Sequence, residues 1–450
     1  MNNKFSHKIT VPRIIVIGFA AVSIISSVLL SFPAAAADGV RTHYADALFA
    51  AVSAVCVTGL STVNTARHWS AFGHAVILVT GQIGALGFMT FVTLILTAAG
   101  KRVTLKERLV LRQMFNHKDM SDIMSLIKKA VAGTFILEAA GALIMTPAFM
   151  RGENVGFAKG LWYGLFHSIC SFCSAGFDIL GEGSLQRYSN VPSVNLTMVF
   201  LVTLGGLGYA VWIDVLSKNK KLSLHSRVVL EVTIGLTLFG TVFFLLAESF
   251  GSGAFAGMGA GERAMASLFQ SVTPRTLGYV TVDQHNLSNG SQLLTLLFMF
   301  VGGSPGSTCG GVKTVTLVVI FASVFSVLQN KEHIVLHKRE IAVITLQKAL
   351  AVAGLYVIIV TAASIILSFT ETESLRAFSL FDIVYETFSA TGTVGLTLGI
   401  TPYLTTGGKI IIMACMLLGR IGGVTAVLSL PHKIISESAV RHPEGNIIIG

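Results

Sequence analysis

Residues 384–396 read VYETFSATGTVGL, and the layout of that stretch decides how the rest of the chain is read. An aromatic residue starts a short, half-apolar helix of about two turns. Small and hydroxylated residues follow, a glycine ends the helix, and the chain leaves in an extended form. Three other stretches repeat this order: LFAAVSAVCVTGL with Gly59, LFHSICSFCSAGF with Gly176, and LFQSVTPRTLGY with Gly278; the quoted stretch carries Gly395. From aromatic to glycine the interval is ten residues for Phe49, Phe166 and Tyr385, and nine for Phe269. Successive glycines are 117, 102 and 117 residues apart. Self-similarity on that scale marks a repeat architecture.

Composition supplies the solvent. Of the 450 residues, 53% are hydrophobic and only 12% charged, and the mean hydropathy is +0.74. A soluble domain of this length cannot reconcile those values with a polar surface, so the chain reads as an all-α polytopic membrane protein. The formal net charge of +10 would suggest nucleic acid in a soluble protein. In a membrane protein the placement of Lys and Arg matters more than their sum, and no nucleic-acid partner is expected. The five cysteines, Cys56, Cys170, Cys173, Cys309 and Cys415, lie in apolar or glycine-rich runs, which argues against a disulfide framework. Cys170 and Cys173 form a CxxC without a second Cys or His pair at zinc-like spacing, and read as small residues of a short helix. The apolar run 14–32 follows Lys4, Lys8 and Arg13 and precedes AAAA, imitating a secretory signal. Its length is near the roughly 20 residues that span a bilayer core, so it reads as a retained first helix.

Each unit then consists of a spanning helix, a re-entrant helix with its glycine turn, and a second spanning helix. The first unit, 14–100, uses 14–32, 45–60 and 72–99; the second, 127–217, uses 127–149, 161–177 and 194–216. The third, 228–329, uses 228–246, 264–279 and 293–328; the fourth, 347–431, uses 349–368, 381–396 and 408–430, and a tail, 432–450, follows. Eight spans put both termini on one side. With the amino terminus cytoplasmic, 21 of the 32 Lys and Arg fall in inside segments, including the basic loops 101–129, 218–227 and 331–348. That is the positive-inside asymmetry. Many acids fall outside: Asp38, Asp46, Asp178, Glu182, Asp283, Glu371, Glu373, Asp382 and Glu386. They form either a weakly negative vestibule that concentrates cations or ordinary solvated loops.

Non-helical backbone at membrane depth is tolerated where it is buried in protein or lines a watery cavity, and four such segments in one chain can line one pore. Glycine admits the positive φ that turns successive carbonyls toward one axis. Rings of carbonyls replace the hydration shell of an alkali cation, and the carboxyl ends of four short helices add negative partial charge. Thr58, Thr276 and Thr393 either lend hydroxyl oxygens or cap helix ends. His167 with Cys170 and Cys173, or Ser271 with His285, has no triad spacing or metal-ligand set, which speaks against a membrane enzyme.

At this point the chain resembles a membrane subunit of the Trk/Ktr/HKT superfamily of potassium transporters, most of all the bacterial Ktr type. The resemblance runs over nearly the whole length. It is carried by IGF after Pro12 and Arg13, DALFAAVSAVCVTGL, GQIGALGFMTF, SLHSR, FQSVTPRTLGY, GTVGLTLGITPYLTTGGK, GRIG around Arg420, and RHPEG near the end. It implies four helix–pore–helix repeats around one central pore. It also implies a selectivity filter at Thr58 and Gly59, Ala175 and Gly176, Leu277 and Gly278, and Val394 and Gly395, with K+ held at backbone carbonyls and no cofactor bound. Related transporters with serine at the first position tend toward sodium, so Gly59 implies potassium. Sodium is expected either as a carried ion or as an activator. The implied partners are a second copy of the chain, a cytosolic ring of nucleotide-binding RCK subunits of the KtrA/KtrC type, and membrane lipid, the basic loops being the contact sites.

Two features of the second helices predict a gate. Residues 293–328 would extend about 54 Å as one helix at ~1.5 Å per residue, too long for a core of ~30 Å without a break. The break is GGSPGSTCGGVK, 302–313. Gly302, Gly303, Ser304, Pro305, Gly306, Ser307, Thr308, Gly310 and Gly311 cannot sustain a lipid-facing helix, and a flexible loop ending at Lys313 is expected to project under the filter. The resemblance implies the same obstructing loop; Pro305 and Cys309 depart from its usual pattern. Arg420 is an intramembrane charge, by default functional. It is expected either to form an electrostatic barrier and bond the loop, or to pair with a carboxylate such as Glu138 or with helix carbonyls. A secondary transporter with alternating access is the competing class, but parallel repeats with re-entrant helices suit an axial pore better.

Overall fold

The computed structural model describes residues 11–87, 123–181, 183–217, 222–249, 253–374, 376–422 and 425. Residues 88–99 of the first unit's second helix, Glu182, the loop segments 101–122 and 218–221, residues 423–424 and 426–431, and the tail 432–450 lie outside the described residues.

Fourteen α-helices of eight residues or more carry the architecture among the described residues, besides the single turn Thr65–His68. They are α1 (Val11–Leu30), α2 (Tyr44–Val55), α3 (Ala71–Leu86), α4 (Ile123–Gly152), α5 (Phe157–Cys173), α6 (Pro192–Leu207) and α7 (Tyr209–Leu216). They continue with α8 (Leu224–Ser249), α9 (Ala260–Val272), α10 (Asn289–Phe300), α11 (Thr314–Leu328), α12 (Val343–Thr370), α13 (Leu380–Gly392) and α14 (Thr406–Ile421). A two-residue hairpin, β1 (Val335–Leu336) with β2 (Arg339–Glu340), joins α11 to α12.

By length and apolar composition, four unbroken helices among the described residues can cross a membrane: Pro12–Leu30, Ile127–Gly152, Leu224–Ser249 and Val343–Thr370. These are the opening helices of the four units. Each has long runs of Ile, Leu, Val and Phe, many of them exposed, as lipid contact requires. The short helices α2, α5, α9 and α13 that follow run 12, 17, 13 and 13 residues, longer than the two turns the sequence suggests. Their aromatics Phe49, Phe166, Phe269 and Tyr385 are all fully buried and anchor them.

Among the described residues the second helices end at Leu86, Leu207, Phe300 and Ile421, and all of these ends but the third are capped by a glycine with positive φ. The continuous span expected over 194–216 is instead a pair bent by 95° between α6 and α7. The cause is local: Gly208 has φ 85° and ψ 145°. Gly87 after α3 and Gly422 after α14 have nearly the same conformation, φ 82° and 86°, and Gly306 in the third unit has φ 72°. Each end has a G-x-x-G at it or, in the third unit, just past it: GALG from Gly84, GGLG from Gly205, GSPG from Gly303 and GRIG from Gly419. In three units the first glycine of the motif also lets the helix close on its own short helix. A Cβ at Gly84, Gly205 or Gly419 would strike the carbonyl of Val55, Phe172 or Thr391.

Polar contacts join the units at their four seams. Gln82 of the first donates to Glu138 of the second at 3.0 Å. Tyr279 of the third donates to the Phe177 carbonyl of the second at 2.7 Å, and Tyr385 of the fourth to Gln284 of the third at 3.3 Å. Lys409 of the fourth meets Asp46 of the first at 2.6 Å, which completes the circuit. Buried charged and amide groups hold because each has such a partner.

Candidate ion pathway

The four glycine turns converge on one axis. If a Cβ is placed on each glycine, it meets the backbone of the neighbouring turn: Gly59 faces the Ala175 carbonyl at 2.7 Å, and Gly176 the Leu277 carbonyl at 3.2 Å. Gly278 faces the Val394 carbonyl, and Gly395 the Thr58 carbonyl, both closer still. Each residue that precedes a glycine therefore presents its carbonyl oxygen to the next turn around, and the cycle closes in one polypeptide. All eight residues that the resemblance implies, Thr58 and Gly59, Ala175 and Gly176, Leu277 and Gly278, and Val394 and Gly395, are brought together here.

The backbone explains why carbonyls and not N–H groups face inward. The glycines have φ of 90°, 66°, 79° and 92°, in chain order. Two residues before each stands a non-glycine that also has positive φ: Val57 at 55°, Ser174 at 59°, Thr276 at 80° and Thr393 at 52°. Positive φ on both sides of a negative-φ residue alternates the sense of rotation and aligns consecutive carbonyls. The N–H groups are engaged elsewhere. Those of Thr58, Ala175, Leu277 and Val394 donate to Ser53, Cys170, Thr273 and Ser389 carbonyls at 2.9, 2.8, 3.0 and 2.8 Å. The Gly59 and Gly395 N–H groups donate to the Ser53 and Ser389 hydroxyls, each at 3.1 Å. The hydroxyls of Thr58, Thr276 and Thr393 are buried without a hydrogen-bond partner, so they do not cap helix ends.

Behind the turns, polar side chains brace the extended segments. His167, one residue after its aromatic, bridges the Tyr163 carbonyl at 2.8 Å and Asp178 at 2.9 Å. Gln270 holds the same place in the third unit and donates to Gln284 at 2.9 Å. Glu386 does so in the fourth, accepting from Thr397 at 2.7 Å and from Thr401. Several acids read as vestibule candidates are thus committed to internal bonds: Asp46 to Lys409, Asp178 to His167, Glu386 to two threonines, and Glu371 to Thr405.

Against the turns lies the loop between α10 and α11. Its neck is closed by Gly302 N–H donating to the Val312 carbonyl at 2.9 Å. Ser304 N–H donates to the Gly206 carbonyl at 2.9 Å and Thr308 N–H to Gly205 at 3.2 Å, so the loop rests on the break between α6 and α7. Its tip touches the left-handed residues of two turns. Cys309 Sγ is 3.4 Å from Ser174 Oγ, and a Cβ at Gly310 would strike the Thr393 hydroxyl. Gly311, with φ 67°, carries the chain back past Gly302.

Three consecutive loop carbonyls are held by cations. Arg420, at the end of α14, donates to Thr308 O, and also to Gly84 O at 2.6 Å and Ala85 O at 3.1 Å. Lys313 donates to Cys309 O at 2.7 Å and Gly310 O at 3.3 Å. Of the alternatives for Arg420, the loop and helix carbonyls are its partners; Glu138 bonds instead to Gln82, and the Cys173 thiol donates to Gln82 Oε1 at 3.0 Å. Arg275, inside the motif FQSVTPRTLGY but assigned no role from it, is buried and donates to Thr237 Oγ1 at 2.5 Å. The left-handed residues at 57, 174, 276 and 393 also escaped notice, since three of the four are β-branched types that rarely take positive φ.

The sequence pattern of the TrkH family, described as cation transport protein, matches residues 12–441. The Potassium/sodium uptake protein NtpJ of Enterococcus hirae is 37% identical over 457 residues, covering 100% of this chain and 99% of that protein. The Ktr system potassium uptake protein B of Bacillus subtilis is 37% identical over 445 residues, covering 98% and 97%. Among solved structures, the potassium transporter TrkH from Vibrio parahaemolyticus matches 96% of this chain and 87% of its own, with TM-score 0.72 and 16% identity, a likeness of fold. The chain is a multi-pass membrane protein, not an enzyme, and belongs to the TrkH family of cation transport proteins.

Proposed function

We propose that the chain is the translocating subunit of a Ktr-type potassium uptake system in the cytoplasmic membrane, with both termini cytoplasmic. One observation carries the reading: four carbonyls, from Thr58, Ala175, Leu277 and Val394, each face the glycine of the next turn in a closed ring. Such a ring replaces the water shell of an alkali cation. The unpartnered hydroxyls of Thr58, Thr276 and Thr393 supply further oxygens; an unsatisfied buried hydroxyl otherwise costs about 1–3 kcal/mol. The loop 302–313, held by Arg420 and Lys313, is the gate, and Arg420 is the barrier a cation meets when the loop is closed.

The names of the Bacillus and Enterococcus relatives support potassium as the cargo, and the word system implies a partner. We assign that role to a cytosolic nucleotide-binding RCK ring beneath a homodimer, touching the basic loops together with anionic lipid. The name potassium/sodium of the Enterococcus relative favours a second reading, in which sodium is carried or activates. The test is growth and K+ uptake of a host stripped of its own uptake systems, with the chain alone and with an RCK partner, with and without sodium. Uptake that prefers K+ and responds to the partner is expected. Membrane expression without any uptake overturns the assignment, and strictly coupled saturable flux of both ions revives alternating access.

A further inference from the structure

Beside the ends of α3 and α14 and the loop 302–313 lies a cavity of about 220 Å3. Lys313, Arg420, Tyr209 and Ser307 form its polar wall, and Ile15 and Phe19 of α1 part of its apolar one. We infer that this cavity binds an anion: a free inorganic anion or the phosphate of a lipid headgroup.

The argument is one of charge. Lys313 and Arg420 hold adjacent loop carbonyls, so two positive charges sit side by side inside the membrane domain. Their bonded acceptors are all neutral carbonyls. Among the described residues no Asp or Glu lines the cavity. Charges removed from bulk water are paired or coordinated, and dipoles alone leave two like charges uncompensated. Donors remain to do the pairing. An ammonium has three N–H groups and a guanidinium five. Two and three of these, respectively, have the carbonyl acceptors already named. The Ser307 hydroxyl beside them is buried without a partner.

Size and shape agree. Water takes about 30 Å3 per molecule in the liquid, so the cavity has room for a halide or a phosphate with part of its hydration. The Ile15 and Phe19 wall also suits an acyl chain, which is why a lipid phosphate is the second source. The site depends on this charge arrangement and not on which cation crosses. An anion there would offset the field that a cation meets at the loop, making conduction responsive to anions.

The full-length protein is crystallised in bromide, and the anomalous signal is compared between the parent, Lys313→Gln, Lys313→Arg and Ser307→Ala. In parallel, protein from vesicles containing phosphatidylglycerol is examined by native mass spectrometry for retained lipid. A bromide peak contacting Lys313, lost in K313Q, kept in K313R and weakened several-fold in S307A, supports the free-anion source. Retained phosphatidylglycerol that is lost in K313Q but kept in K313R supports the lipid source. A peak unchanged in K313Q and S307A is an adventitious ion only and overturns the inference, as does the absence of both bromide and lipid. If K313Q does not fold, S307A alone decides by the same criterion. Potassium uptake that persists with neither anion found would sink this site and leave the transport reading standing.

Discussion

The Arg420 guanidinium donates to the carbonyl oxygen of Thr308, 112 residues earlier in the chain, and so ties the last helix of the fourth unit to the loop of the third. The same side chain reaches Gly84 and Ala85 of the first unit. A single residue therefore fastens three of the four units at the loop.

Arg420→Gln keeps hydrogen-bonding capacity and removes the charge. A unit charge about 8 Å from a cation at an effective dielectric of about 20 opposes it by about 2 kcal/mol. Flux through the reconstituted protein is expected to rise about tenfold or more, read as rubidium uptake into proteoliposomes. A well-folded variant with parental flux would remove the barrier role.

The glycines should not be equally sensitive. Alanine at Gly176 meets its nearest carbonyl at 3.2 Å, whereas at Gly395 it runs into the Thr58 carbonyl. Positive φ adds about 1–2 kcal/mol of strain at each site. Gly395→Ala is expected to abolish selective uptake, Gly59→Ala or Gly59→Ser to cut the preference for potassium over sodium about tenfold, and Gly176→Ala to be the mildest. Relative permeabilities that rank the other way, or do not change, would contradict the ring.

Because Gly302 N–H bonds to the Val312 carbonyl, the two ends of the loop lie side by side. Deletion of 303–311 can therefore be rejoined without moving α10 or α11. The shortened protein should fold, conduct faster and lose its response to a cytosolic partner. Unaltered flux would mean that the loop does not obstruct the path.

Glu371, just past α12, anchors the start of α14. Its carboxylate accepts Thr405 N–H at 2.8 Å, the Thr405 hydroxyl at 2.5 Å and the Ser374 hydroxyl at 2.7 Å. Burial acts to raise its pKa, but these bonds win and hold it below the ordinary glutamate value of 4.5. A folded pKa that is depressed contributes stability above 4.5 and loses it as pH falls through the folded value. Glu371→Gln should cost about 2 kcal/mol near neutral pH, a difference that shrinks below pH 4.5. Thermal unfolding of parent and variant across that range checks it, and a gap that widens in acid would refute the assignment.

What could be read from the sequence followed physical periodicity. The opening helices show as apolar runs long enough to span, and the four turns show because an aromatic and a glycine recur at fixed spacing. The loop shows because Gly and Pro break a run too long for the bilayer. The left-handed residues could not be read, because propensity argues against Val57, Thr276 and Thr393 adopting positive φ and only the closed ring imposes it. The bend at Gly208 is hidden for another reason: α6 and α7 together are apolar enough for one span, and glycines alone do not distinguish a bent pair from a straight helix. Recurrence of G-x-x-G in all four units was the available signal. The partners of Arg420, and the Gln82 and Lys409 that meet Glu138 and Asp46, come from other units and carry no local signature.

Gly87, Gly208 and Gly422 end α3, α6 and α14 in one shared conformation, whereas the third unit leaves its helix at Phe300 and runs into the loop 302–313. Opening such a pathway is not the dilation of an iris, in which equal parts retreat together. It is the withdrawal of one off-centre flap, while three elbows of the same design stay in place. The conducting state is then lopsided, and its occupancy should depend on a single hinge instead of on four acting in concert.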